Sequence, residues 1–155
     1  MEKEINQLAE ITNWILEEAT KLKDKHTNGV DAIANYVCVF CQNDEELVHF
    51  NAAAARLGPC VLKTGTGNVF HVSKTNPVGS TPKLLKIRKP DETRTERGDA
   101  DFTVDDYSGF KQRFVNSPGF TLIPLKGAEM IELVDKDFDV RVYFSDPPLD
   151  VDLQL

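Results

Sequence analysis

Residues 36–63 read YVCVFCQNDEELVHFNAAAARLGPCVLK, and the fold hinges on how this stretch is divided. Tyr36-Val-Cys-Val-Phe40 is rich in β-branched and aromatic residues and bounded by polar ones, the pattern of a buried strand. Asn43-Asp-Glu-Glu46 then offers a cap residue with a glutamate three positions on. Leu47, Phe50, Ala54 and Leu57 follow at helical spacing until Gly58-Pro59 stops them. Cys60-Val-Leu-Lys63 is a second strand. Residues 68–73 (NVFHVS) and 83–88 (KLLKIR) add a third and a fourth, joined by the hairpin turn Gly65-Thr-Gly67 and by the turn-rich residues 74–82. The order is β-α-β-β-β.

The polar residues 89–98 (KPDETRTERG) are too short and too charged for a core element, so an exposed connection is expected there. Beyond it the same order returns. Residues 100–104 (ADFTV) form a strand, and Asp105 caps a helix whose apolar stripe is Tyr107, Phe110 and Phe114. Asn116-Ser-Pro-Gly119 ends that helix, and strands follow at 120–125, 128–134 and 139–145. The two caps, Asn43 and Asp105, each lie 22 residues before a turn glycine, Gly65 and Gly127. Independent errors rarely reproduce a five-element series, so an internal duplication is expected, with modules at about 35–89 and 99–146. Ahead of both, Ile5, Leu8, Ile11, Ile15, Ala19 and Leu22 make one amphipathic helix over residues 4–25, closed by Asn28-Gly29. The domain plan is therefore an N-terminal helix, 1–28, and one domain, 29–155, with an extended tail from residue 146. The fold class is α+β.

Composition bounds the partners. With 18 basic and 25 acidic side chains the net charge is −7, which argues against broad nucleic-acid binding. The one basic stretch is 83–97, with six Lys/Arg against three Asp/Glu. No apolar run reaches the roughly 18 residues that span a bilayer, and the N-terminus lacks a signal-peptide pattern, so a soluble cytoplasmic protein is expected, without membrane contact. Three cysteines cannot all pair, which suits free thiols in a reducing compartment. Cys38-Val-Phe-Cys41 has CxxC spacing, but on a strand the two sulfurs point to opposite faces, so buried thiols are expected rather than a zinc or redox site. Gly65-Thr-Gly67 lacks the helix and Lys-Ser/Thr of a phosphate loop. Arg97-Gly98-Asp99 reads as a turn before a strand, and His26 and His49 as solvent-facing.

Two consecutive β-α-β-β-β units resemble the paired modules of the vicinal oxygen chelate superfamily, which includes glyoxalase I, extradiol dioxygenases and bleomycin-resistance proteins. The resemblance covers about two-thirds of the chain and rests on topology. It implies a glyoxalase-like curved mixed sheet, each module forming half of a cup around a ligand. Metal-dependent members take ligands from the first and last strands of each module. The corresponding strands here offer Cys38, Lys86 or Arg88, Asp101, and Arg141 or Tyr143, of which only Asp101 and Cys38 suit a metal. A catalytic divalent site needs at least three ligands, so the metal-free branch is implied and no cofactor is expected.

Alternation along the strands puts His71, Lys86, Arg88, Asp101, Thr103, Glu132, Arg141 and Tyr143 on one face, opposite Leu85/Ile87, Phe102/Val104, Ile131/Leu133 and Val140/Val142/Phe144. His71 and Glu132 occupy matching places in the two halves and are the candidate acid/base pair. Lys86, Arg88 and Arg141, with Asp101 and Tyr143, are the candidate ligand-binding set, and guanidinium groups favour a carboxylate or phosphate. The functional expectation is a binder of a small anionic metabolite, with metal-independent lyase or isomerase chemistry open to it. The alternative is a non-catalytic interaction module whose N-terminal Ile/Leu stripe docks a partner or a second copy as a homodimer.

Overall fold

The computed structural model describes residues 1–72 and 82–155; the connection expected at 74–82 lies, apart from Pro82, outside the described residues. The first helix, α1, runs Glu2–Thr27 and ends at Asn28, which is left-handed with φ 56°. Its stripe of Leu8, Thr12, Ile15, Ala19 and Leu22 is fully buried, the Thr12 hydroxyl donating back to the Leu8 carbonyl at 2.7 Å. The first module is β1 (Ile33–Phe40), α2 (Asp44–Leu57), β2 (Cys60–Thr64), β3 (Gly67–His71) and β4 (Leu84–Arg88). The second is β5 (Gly98–Thr103), α3 (Tyr107–Phe114), β6 (Phe120–Leu125), β7 (Ala128–Leu133) and β8 (Val140–Asp146). The β-α-β-β-β series thus occurs twice, as its repeated pattern predicts.

All eight strands share one mixed sheet in the order β2-β3-β4-β1-β5-β8-β7-β6. In each module the last strand returns beside the first and parallel to it, β4 on β1 and β8 on β5, while β1 and β5 pair antiparallel at the junction. The helices cover one face. Val37, Val39, Leu85, Ile87, Ala100, Phe102, Val142 and Phe144 point into that core with Leu8, Ile15, Phe50 and Phe110. Phe110 anchors its second half, 4.3 Å from the Phe144 ring centroid and 4.8 Å from that of Phe114. At Gly98, α1 and the two central strands come so close that a Cβ would lie 2.3 Å from the Cys38 carbonyl oxygen and 2.6 Å from Ile15 Cδ1.

Several expectations are corrected here. Most of the Ile/Leu stripe of α1 is spent on the chain's own core, with Leu8, Ile15, Ala19 and Leu22 fully buried and Ile5 and Ile11 partly so. The helix cap of the second module is Asp106, whose carboxylate accepts from the Gly109 N–H at 3.0 Å, and not Asp105. Residues 89–97 are the connection expected, exposed at Lys89, Pro90, Glu92, Thr93 and Thr95, but its other side chains fasten it as a strap. Asp91 accepts from the Thr93 N–H and hydroxyl and from Arg88, while Glu96 holds Arg141 at 2.7 Å and Arg97 holds Glu46 at 2.6 Å. Gly98 and Asp99 belong to β5, so the Arg-Gly-Asp tripeptide is not a turn. The tail is not extended, because residues 149–152 form a short helix, α4 (Leu149–Asp152), with Asp150 buried and bound by Lys83.

Candidate functional site

The face of the sheet away from the helices carries a cleft of about 250 Å³ lined by Tyr36, Cys38, Lys86, Arg88, Arg94, Asp99, Asp101, Ile123, Met130 and Tyr143. Strand register explains most of this set. Lys86, Cys38, Asp99 and Arg141 stand side by side across β4, β1, β5 and β8, and the next row is Leu84, Tyr36, Asp101 and Tyr143. Ile123 and Met130 come from β6 and β7. Edge strand β6 is four strand spacings from β1, roughly 19 Å on a flat sheet, so its presence in the same cleft requires this half of the sheet to curl.

Arg94 arrives from the strap. It donates to the Tyr143 hydroxyl at 3.2 Å, and its guanidinium carbon lies 5.9 Å from the Phe40 ring centroid, with that of Arg88 at 5.6 Å. Tyr143 in turn donates to Glu132 at 2.7 Å, and Glu132 accepts from Arg141 at 3.3 Å. Lys86 donates to the Thr66 hydroxyl at 2.6 Å. The cleft thus gathers three cationic side chains and two carboxyls.

Burial sets the electrostatics. It raises the Asp99 carboxyl to about 7 against the pull of Arg94, Lys86 and Arg88. It also raises Asp101 to about 7, with the Ser145 hydroxyl opposing and the Asp99 charge reinforcing the shift. Burial lowers the Lys86 ammonium and pushes the Tyr143 hydroxyl up to about 12. Two carboxylic acids titrating near neutrality therefore face fixed positive charge. The thiols have no such poise, since burial raises Cys38 far above its ordinary value and Cys41 to about 12, while Cys60 is exposed and single.

Of the residues read from sequence, Lys86, Arg88, Asp101 and Tyr143 meet in the cleft. Arg141 does not line it, its guanidinium being taken by Glu96 and Glu132. His71 and Glu132 share the face and even the row, but Leu84, Tyr36, Asp101 and Tyr143 stand between them. That is five strand spacings, roughly 24 Å along the sheet; neither lines the cleft, and Glu132 is bound by Arg141 and Tyr143. Tyr36, Asp99, Arg94, Ile123 and Met130 were missed. Asp99 was legible, because it alternates with Asp101 on one strand. Arg94 was not, because nothing local shows that a polar connection folds back over the sheet.

A wider depression of about 450 Å³ lies between α1 and α2, beside Glu10, Glu45, Glu46 and His49. Its Glu46 is already committed to Arg97 and to the α2 start, and it lacks the buried charge of the cleft. Among the described residues no group of three or more His, Cys, Asp or Glu could hold a metal ion, and no helix is long and apolar enough to cross a membrane.

No protein-family model and no curated protein matches the chain. A solved structure titled "Structural Genomics, Protein EC4020" superposes with a TM-score of 0.72 over 97% of this chain and 92% of its own, at 10% identity. At that identity the likeness carries the α+β fold, not a function.

Proposed function

We propose that the protein binds a small anionic molecule, of carboxylate or phosphate type, in the cleft between its two modules. The observation that carries this reading is the convergence of Lys86, Arg88 and Arg94 on one concave site of small-molecule size, in a chain whose net charge is −7. Arginine forks suit planar oxyanions, and low-dielectric walls strengthen each charge-assisted bond. The module topology supports grouping the chain with the vicinal oxygen chelate superfamily, on its metal-free side. The places where that superfamily carries metal ligands hold Lys86 and Tyr143 beside Cys38 and Asp101, and an ammonium does not fit a divalent site. If the ligand is turned over in a lyase or isomerase reaction, Asp99 and Asp101 are the groups placed to move its proton, not His71 and Glu132.

The test is a titration of the labelled protein with 3-phenylpropanoate and, separately, inorganic phosphate, following backbone amide shifts in two-dimensional NMR. Shifts clustering at β1, β4 and β5, with affinity reduced about tenfold or more in Arg94→Ala, are expected. Undiminished binding in that variant, or no response to either anion at tens of millimolar, overturns the reading.

A further inference from the structure

Among the described residues three lysines are buried or half-buried, Lys23, Lys86 and Lys111, and two of them are neutralised. Lys23 meets Asp24 at 2.7 Å, and Lys111 meets Glu129 at 2.8 Å. Lys86 lines the cleft, has no carboxylate partner among the described residues, and donates to the Thr66 hydroxyl at 2.6 Å. A hydroxyl accepts from an ammonium or donates to a neutral amine, so this contact fits either protonation state, whereas a carboxylate fits only the first. The neighbour of Lys86 on the same face of β4 is Arg88, roughly 7 Å along the strand, and Arg94 reaches into the cleft from the strap. Burial lowers the Lys86 ammonium below its ordinary value, and the two arginines add to this against Cys38 and Asp99. A lysine partly desolvated beside other cations is a nucleophile toward carbonyl carbon.

We infer that Lys86 is a nucleophile that forms an imine with a 2-oxo carboxylic acid whose carboxylate sits on Arg88 and Arg94. This rests on the anion-binding reading and names the ligand class of that site. In such an acid the carbonyl carbon is bonded directly to the carboxylate carbon. An amine and a guanidinium at successive same-face positions of one strand therefore address adjacent groups of the ligand. The neutral amine attacks the carbonyl carbon, a C–N bond forms, and the oxygen takes up a proton to give a carbinolamine. The C–O bond then breaks as the nitrogen lone pair makes C=N. Both amine hydrogens leave with the oxygen as one water, relayed through solvent, and nothing is oxidised or reduced. Ile123 and Met130 supply an apolar wall for the rest of the acid.

The experiment treats the full chain with pyruvate and sodium cyanoborohydride, which adds hydride to an imine and fixes it as a secondary amine. Peptide mapping by mass spectrometry then locates the modified lysines. The exposed Lys63 and Lys126 in the same sample are the reference for a lysine that is merely accessible. Lys86 is expected to be labelled about tenfold or more ahead of either, through a larger neutral fraction and a held acid. Its rate is expected to level off below the roughly pH 10.4 of an ordinary lysine. Acetone, in which a methyl replaces the carboxylate, is expected to lose most of the preference for Lys86, and so is pyruvate on Arg94→Ala. Labelling of Lys86 no faster than that of Lys63 overturns the imine, while Arg94-dependent shifts in the NMR titration leave the anion site standing. An equal preference for Lys86 with pyruvate and with acetone overturns the oxo acid as ligand. Loss of both the labelling preference and the NMR shifts overturns the imine and the anion site together.

Discussion

Asp99 and Asp101 stand two residues apart on β5, and what they do to stability is opposite to what most carboxylates do. Both hold a proton up to about pH 7 in the folded protein, against roughly 4 in the unfolded chain. Between those values the folded state binds more protons than the unfolded one, so their contribution falls as pH rises from about 4 to about 7. Asp91 and Asp135 act with the other sign. Hydrogen bonds from Thr93 hold Asp91 down to about 2, and those from Lys25, the Asp137 N–H and His26 hold Asp135 lower still, so their support is lost as pH drops below about 4. Stability is therefore expected to peak near pH 4 and to fall from there toward pH 7. Asp99→Asn removes a group that must ionise inside protein. The variant is expected to match its parent at pH 4.5 and to exceed it at pH 8 by about 1 kcal/mol or more in denaturant unfolding. An equal gap at both pH values sinks this account.

At the scale of elements, local rules were a good guide wherever a cap or a period decided the matter. Asn43 caps α2 as its spacing foretells, accepting from the Glu46 N–H at 2.8 Å, and Glu46 reaches back to the Gln42 N–H at 3.1 Å. The second module offers two adjacent aspartates, and sequence alone has no means to choose between them. The structure shows the reason for the choice. Gly109 sits three residues after Asp106, and a Cβ there would come within 2.3 Å of Asp106 Oδ2, so cap and glycine are a matched pair. Asp106→Ala is expected to cost about 1 kcal/mol, and Asp105→Ala to stay within about 0.5 kcal/mol of the parent. Chemical denaturation of both variants checks the assignment, and it fails if their order is reversed. The alternation that sorts Leu85/Ile87 from Lys86/Arg88 was equally legible, since one face of this sheet is buried by helices and a slip of one residue would invert it. The strap was not legible. Its Arg94, Glu96 and Arg97 find partners 49, 45 and 51 residues away, on β8 and α2, and composition carries no trace of such pairings.

For the whole molecule, the repeated β-α-β-β-β order was enough to anticipate two modules, but not the part played by the helix in front of them. α1 packs against β1, β5 and β8 as well as α2, so it bridges the junction where the two modules meet. Leu8, Ile15 and Leu22 are each fully buried there. Burying a side chain of that size contributes about 1.5–3 kcal/mol, so three of them supply an amount comparable with the entire stability of an ordinary domain, about 5–15 kcal/mol. A helix that only docked a partner would be dispensable to the fold. Deleting residues 1–27 is instead expected to leave Val37, Val39 and Ala100 uncovered and the chain unfolded or aggregated, with collapsed amide dispersion in NMR. Ile15→Ala is the milder version. It removes the side chain packed against Gly98 and is expected to cost about 2–5 kcal/mol, while the remaining fold still closes the cleft. A truncated chain that melts cooperatively near the parent temperature would show that the two modules hold together by the β1–β5 ladder alone, and would return α1 to the surface as an element free to meet a partner.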